Sequence, residues 1–170
     1  MKKRFFHGTS SLSLQKILRG NGAVIRVYRD SNTSLGGAYF TTQEPVARVA
    51  AELAAREHGG EPVVLTVRAD TNDLLPDEDW VVSAVVDLPA DRYGVIRDRR
   101  MRDFFDDLFV GYMGEGHSLS DHYKERYDEL NESHGITWRD SLRTWPGSVR
   151  QPHPISADQI EAVIEYEKSK

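Results

Sequence analysis

Apolar residues in the first 70 positions alternate between strand-like and helix-like spacing. Phe5 and Phe6 open the chain with two aromatic side chains that favour a strand. The strongest strand signal is the β-branched run at 62–69, whose near-continuous apolar centre is typical of a strand covered on both faces. The pattern also predicts strands at 23–28 and 38–42, a short helix around 14–18 and a helix from Pro45 to about residue 57.

The pattern changes after residue 70. Residues 97–110 place four apolar side chains on one side of an amphipathic helix, and 118–132 predicts a second, more polar helix. Strand signals return at Val149 and end in a closing strand at 159–166. The order predicts an α+β fold of two small antiparallel or mixed sheets with flanking helices, as one domain over 1–170 with a helical insert at about 75–145.

Composition narrows the class of protein. The chain has 170 residues, a net charge of −5 and no cysteine. Its length suits one domain with a real core, and the lack of cysteine excludes disulfides and thiolate chemistry. No apolar run reaches membrane-spanning length, and the acidic balance disfavours broad, non-specific nucleic-acid binding. We therefore expect a cytoplasmic protein with no membrane partner.

Two short stretches carry the candidate chemistry. The first strand ends in His7-Gly8-Thr9-Ser10, and the segment Gly36-Gly37-Ala38-Tyr39-Phe40-Thr41-Thr42 follows about thirty residues later. Glycine allows a ligand to approach the main chain closely. If the two strands are neighbours, an imidazole, a phenol and exposed backbone converge on one cleft.

The paired motifs resemble those of the diphtheria-toxin-type and poly(ADP-ribose)-polymerase-like ADP-ribosyltransferases. The resemblance covers residues 4–70 and, more loosely, the last twenty-odd residues. It implies the fold of that superfamily, with NAD+ as co-substrate. It also implies that His7 fixes a ribose hydroxyl, that the Gly8 backbone and Thr9 hydroxyl hold the nicotinamide carboxamide, and that Tyr39 stacks on the nicotinamide ring.

Other residues near the motifs are candidates for NAD+ contacts. Arg26, Arg29 and Arg48 flank the expected cleft and can pair with a pyrophosphate. Thr41 is a further candidate, although Thr41 or Thr42 can instead cap the following helix.

The chain departs from the family pattern at two places. The position of a second aromatic wall, eleven residues after Tyr39, is occupied by alanine. The late strand that usually begins with a catalytic glutamate contains no carboxylate, so Gln151 is our candidate for holding the ribose by neutral hydrogen bonds, with Ser148 as an alternative. Glu132 or Asp140 can reach in from the insert, whereas Glu161 is expected to face solvent.

We predict a mono-ADP-ribosyltransferase that modifies a protein or nucleic-acid acceptor, because long polymer synthesis is not expected without the glutamate. One alternative from the same superfamily is an RNA 2′-phosphotransferase, which also begins with His-Gly-Thr and uses NAD+. Another is a catalytically silent module that binds NAD+ or ADP-ribose.

Two clusters in the insert have both a functional and a structural interpretation. His117, Asp121 and His122 can ligate a metal, but a polar loop leading into a solvated helix is the preferred interpretation, and no metal is predicted. The four arginines within 97–102 can meet phosphates or, as we expect, form a salt-bridged helix face.

Overall fold

The computed structural model describes residues 1–19, 35–87, 98–144 and 147–166. The chain divides into two compact units, the first formed by Met1–Leu75 with Val149–Lys170 and the second by Pro76–Ser148. The bounds of the second unit lie close to those of the predicted insert at 75–145. The predicted strand at 23–28 lies outside the described residues.

The strands form one six-stranded sheet in the order β4-β5-β2-β1-β3-β6. They are β1 Lys2–Ser10, β2 Ala38–Thr41, β3 Pro62–Asp70, β4 Leu75–Pro76, β5 Ser148–Gln151 and β6 Ile160–Glu165. The pairs β1–β2, β1–β3 and β3–β6 are antiparallel. The α+β class is as predicted, but the expectation of two small sheets is wrong, because β1 pairs with β3 on one edge and with β2 on the other.

The described residues of the first unit include two helices, α1 Ser11–Leu18 and α2 Glu44–His58. The Ser10 hydroxyl caps α1 by accepting a hydrogen bond from the Ser13 N–H at 3.3 Å. α2 carries a proline in its first turn and ends at Gly59, whose φ of +78° favours glycine. A short 3₁₀ turn at Ala157–Gln159 leads into β6.

The second unit is helical. Its helices are α3 Trp80–Asp87, α4 Arg99–Leu108, α5 Leu119–Glu125, α6 Tyr127–His134 and α7 Trp138–Ser141. The single helix predicted at 118–132 is in fact two, because Arg126 leaves the helical conformation with φ −113° and ψ 16°. Its guanidinium donates to the Asp107 carboxylate at 3.0 Å and to the Glu129 carboxylate at 2.8 Å, which fixes the break.

Aromatic side chains form the core of the second unit. Trp80 is buried and stacks on Phe104 at 5.3 Å between ring centroids. The Trp80 indole N–H donates to the Tyr123 hydroxyl at 3.3 Å, which itself donates to the Asn131 side chain at 2.5 Å, so both buried polar groups are satisfied. Across the described residues, no helix combines the length and apolar character needed to cross a bilayer.

Candidate functional site

The two motif strands are neighbours, but their ladder is short. β1 pairs with β3 along its full length from Lys2 to Ser10. Between β1 and β2, the one registered pair among the described residues is Phe6 with Thr41. We call the junction between the two motif strands the fork; it is formed by Phe6–Ser10 of β1 and Ala38–Thr41 of β2.

The His7 side chain bridges the fork. Its Nδ1 lies 2.8 Å from the backbone carbonyl oxygen of Tyr39, 32 residues away in sequence. A carbonyl accepts only, so we place the ring proton on Nδ1, which donates to Tyr39. The imidazole thus completes a hydrogen bond to the backbone of β2 just beyond the Phe6–Thr41 pair.

His7 is neutral near pH 7. Burial lowers the pKa of the imidazole, and the hydrogen bond to the Tyr39 backbone offsets this only in part. With Nδ1 donating to Tyr39, the other ring nitrogen, Nε2, carries a lone pair. Nε2 has no hydrogen-bond partner among the described residues, so it is an acceptor for a hydroxyl group.

Three alternate residues of β1 share one face of the sheet: Phe5, His7 and Thr9. Phe40 of β2 lies on the same face, with its ring 6.0 Å from that of Phe5 and 6.1 Å from that of His7. The resemblance to ADP-ribosyltransferases did not identify Phe40 as the aromatic neighbour of His7. The alternation of side chains along β2, once the register is known, identifies it.

Thr9 has the least satisfied side chain at the fork. The residue is 0% exposed, and its hydroxyl has no hydrogen-bond partner among the described residues. A buried hydroxyl without a partner costs roughly 1–3 kcal/mol. Such a group in a folded protein calls for an explanation, and a ligand that bonds to it is one.

Tyr39 projects from the other face. Residues that oppose one another across an antiparallel pair share a face, so the Phe6–Thr41 register places Tyr39 opposite Gly8, on the side where α2 packs. The Tyr39 side chain is half-buried. We expected His7 and Tyr39 to converge on one cleft; the register instead gives the two side chains opposite faces of the sheet, because adjacent residues of β2 alternate and Phe40 takes the His7 side.

The space at Gly8 is filled by the protein itself. A Cβ built on Gly8 would lie 2.0 Å from the Ala47 carbonyl oxygen and 2.6 Å from the Ala51 nitrogen of α2. Gly37 has φ +98°, and a Cβ there would lie 2.0 Å from the Gln151 carbonyl oxygen. Both glycines are thus explained by close backbone packing, of β1 against α2 and of β2 against β5.

Thr41 and Gln151 already have internal hydrogen bonds. The Thr41 hydroxyl accepts from the Gln43 N–H at 3.1 Å, which is the structural alternative raised for this residue. Gln151 is fully buried, and its amide nitrogen donates to the carbonyls of His153 at 3.1 Å and Pro154 at 3.2 Å. Its amide oxygen accepts from Gln159 at 2.8 Å. Gln151 thus pins the loop that leads to β6.

The sequence offered three carboxylates in place of the glutamate that ADP-ribosyltransferases usually carry. Each of them is ion-paired or lies far from the fork in sequence. Glu161 is exposed and pairs with Arg4 at 2.7 Å and with Arg68. Asp140 is buried in the second unit, where Arg100 holds it at 2.5 Å. Glu132, also in the second unit, is exposed.

The basic candidates fall into two groups. Arg26 and Arg29 lie outside the described residues, as does Arg97 of the arginine-rich segment. Arg48 stacks on the Tyr166 ring at 4.7 Å and lies 3.7 Å from Glu52. In the second unit, Arg99 lies 3.8 Å from Asp103 and Arg100 is engaged by Asp140, as a salt-bridged helix requires.

Comparison of the sequence with known protein families, with curated proteins and with solved structures found no match. The resemblance to ADP-ribosyltransferases therefore rests on the motif residues themselves.

Proposed function

We propose that this chain is an NAD+-dependent mono-ADP-ribosyltransferase that binds the nicotinamide end of NAD+ at the fork. The observation that carries the proposal is the buried Thr9 hydroxyl, which has no hydrogen-bond partner in the residues that the structure describes and lies on the same face as His7. Thr9 is fully buried, so NAD+ binding at its hydroxyl requires a rearrangement that exposes this group. The resemblance assigns the nicotinamide carboxamide to Thr9.

The geometry supplies complementary roles for the two polar side chains. The Thr9 hydroxyl donates to the carboxamide oxygen, and Nε2 of neutral His7 accepts a hydrogen bond from a ribose hydroxyl. In the reaction, the bond between nicotinamide and ribose C1′ breaks, nicotinamide leaves, and an acceptor nucleophile bonds to C1′ and loses its proton. Catalysis of this kind depends on holding the sugar and the leaving ring in position rather than on a strong base.

Tyr39 contributes from the opposite face. A ligand that contacts both rings has to lie at the fork, because His7 and Tyr39 lie on opposite faces of the β1–β2 junction. In that position the half-buried Tyr39 ring stacks on the nicotinamide while His7 contacts the ribose. The proposal thus places the dinucleotide across the fork rather than on one surface of the sheet.

A second candidate, a catalytically silent NAD+- or ADP-ribose-binding module, is favoured by Gln151. Its amide is bonded on both its nitrogen and its oxygen to other parts of the chain. A side chain so engaged is not available to orient a ribose hydroxyl or activate an acceptor. In this version the fork binds the dinucleotide but does not cleave it.

The test is incubation of the purified protein with NAD+, with free nicotinamide measured by chromatography and transfer of labelled ADP-ribose measured on protein, DNA and RNA pools. We expect nicotinamide release and label on one macromolecular pool. The Tyr39→Ala variant should release nicotinamide about tenfold more slowly, because stacking worth about 1.4 kcal/mol in the transition state is lost. Tyr112→Ala, which alters a half-buried tyrosine of the second unit, is the matched control and should leave the rate unchanged.

The other results separate the alternatives. Binding of NAD+ with no nicotinamide release identifies the silent module. Removal of a 2′-phosphate from RNA in the presence of NAD+ identifies the phosphotransferase. If the protein neither binds NAD+ nor turns it over, the proposal is overturned.

A further inference from the structure

Three potential metal ligands converge in the second unit. One ligand atom from each of His117, His122 and Glu125 lies within 4.8 Å of the other two. The three residues lie close together in sequence, at the start and along the length of α5. This cluster has no part in the proposed NAD+ site.

The helix explains how two of the ligands meet. α5 begins after Ser118, whose hydroxyl accepts from the Asp121 N–H at 3.1 Å and so fixes the first turn. His122 and Glu125 are three residues apart and therefore lie on one side of the helix. His117 precedes the cap and brings its ring to the same side, 6.2 Å from that of His122.

Asp121, the acidic residue that the sequence grouped with these histidines, is committed elsewhere. Hydrogen bonds from Lys124 and Ser118 lower the pKa of its carboxyl to about 2. The Ser118 hydroxyl donates to it at 2.6 Å. Asp121 therefore secures the start of α5, and Glu125 is the carboxylate that accompanies the two imidazoles.

His122 is held as a metal-binding histidine usually is. The residue is buried, and its Nε2 lies 3.2 Å from the Val110 carbonyl oxygen, so the Nε2 proton is donated to that carbonyl. The lone pair is then on Nδ1. A hydrogen bond from one ring nitrogen to a backbone carbonyl is the common way in which proteins orient a ligating histidine.

We propose that His117, His122 and Glu125 bind Zn2+. Two imidazoles and one carboxylate are a ligand set that zinc takes in proteins, with a fourth position left for water. An ion pair between His117 and Glu125, at 3.5 Å, explains those two side chains but not the oriented third ligand.

Zinc requires the ligand atoms to close in. With zinc–nitrogen distances of about 2.0 Å, tetrahedral ligand atoms lie roughly 3.3 Å apart. The side chains of His117 and Glu125 are 40% and 65% exposed and can rotate inward, while buried His122 stays fixed. The bound ion then ties the segment from Val110 to His117 to α5.

The test is titration of metal-free full-length protein with ZnCl2 by isothermal calorimetry, together with thermal unfolding with and without zinc. We expect one site per chain, and a rise in Tm of about 5 °C at a hundredfold excess over Kd. His117→Ala and Glu125→Gln should each weaken binding at least tenfold. Neither side chain is buried, so these variants are expected to fold.

The matched controls are His153→Ala and Glu132→Gln, which alter an exposed histidine and an exposed glutamate outside the cluster. Both should bind zinc as the wild type does. Absence of saturable binding tighter than about 100 μM in the wild type would overturn the proposal. So would equal affinity in His117→Ala, Glu125→Gln and the two controls, because the zinc would then be bound elsewhere.

Discussion

The two units of the chain use their polar groups differently. In the second unit, two ion pairs join buried or half-buried charges: Arg100 meets Asp140 with two hydrogen bonds, and Arg126 meets Asp107. In the first unit, the fork contains a buried hydroxyl and an imidazole nitrogen that have no hydrogen-bond partner within the described part of the chain. Satisfied networks hold a fold together, whereas a buried polar group without a hydrogen bond calls for an explanation, and for Thr9 we propose a ligand.

The comparison also reassigns the sequence motifs. The arginine-rich segment has the composition of a phosphate site, yet Arg100 forms an ion pair with Asp140 of the same unit. The residues of the His-Gly-Thr motif have different explanations. The packing of α2 explains Gly8, whereas the structure gives no explanation for Thr9. The function that we propose for the first unit therefore depends on single atoms at the fork rather than on the whole motif.

The largest effect is expected from Gly8→Ala. The new Cβ would press on the backbone of α2 at Ala47 and Ala51, which cannot yield as a flexible side chain does, so we expect a loss of about 3 kcal/mol or more in the free energy of unfolding. Urea denaturation measures it. Gly111→Ala is the control, because nothing lies near its Cβ and only its φ of +78° opposes alanine, at a cost of about 1 kcal/mol. Equal losses would remove close packing as the explanation of Gly8.

Arg100→Ala should have the next largest effect. Removal of the guanidinium takes the nearer cationic partner from the buried Asp140 carboxylate, leaving Arg143 at 3.8 Å, and removes the donor to the Gly135 carbonyl at 2.7 Å. We expect a loss of about 2 kcal/mol, below the usual range for buried pairs because Arg100 is partly solvated. Arg99→Ala, at a 90% exposed neighbour, should change stability by less than about 0.5 kcal/mol. If the two variants unfold alike, the matched network of the second unit contributes little.

A smaller effect concerns the pH dependence of stability. Burial lowers the pKa of His7 in the folded state, so the unfolded chain binds a proton that the folded chain does not as pH falls below about 6.5. The stability contributed by neutral His7 is complete above that pH and is lost as pH falls through the folded pKa. Denaturation at pH 7.5 and 5.5 should therefore show a smaller difference for His7→Gln than for the wild type. Identical differences would mean that His7 is not buried in its neutral form.

Local pattern predicted most of the elements but not their long-range partners. The aromatic pair Phe5-Phe6 and the β-branched run at 62–69 were sufficient to place β1 and β3, because each strand is specified by its own residues. The hydrogen bond from His7 to the Tyr39 carbonyl, and the face on which Tyr39 lies, depend on a register set by one pair 35 residues apart, Phe6 with Thr41. No local pattern encodes that register.

The same limit applies within the second unit. Asp121 was grouped with the two histidines by proximity in sequence, but Ser118 and Lys124 engage it, and Glu125 lies beside them instead. The break between α5 and α6 at Arg126 likewise depends on Asp107, 19 residues away. Side-chain partners chosen in three dimensions decided both cases.

The central claim is that the Thr9 hydroxyl is kept for a ligand, and Thr9→Val tests it most directly. Valine has nearly the same shape and removes a buried group that has no partner, so we expect the variant to be as stable as the wild type or more stable, by up to about 1 kcal/mol. Calorimetric titration with NAD+ should show binding weakened about tenfold or more. Thr66→Val, the same change at a buried threonine of β3, should leave NAD+ binding unchanged. Unaltered NAD+ affinity in Thr9→Val, or no binding of NAD+ by the wild type, would contradict the account.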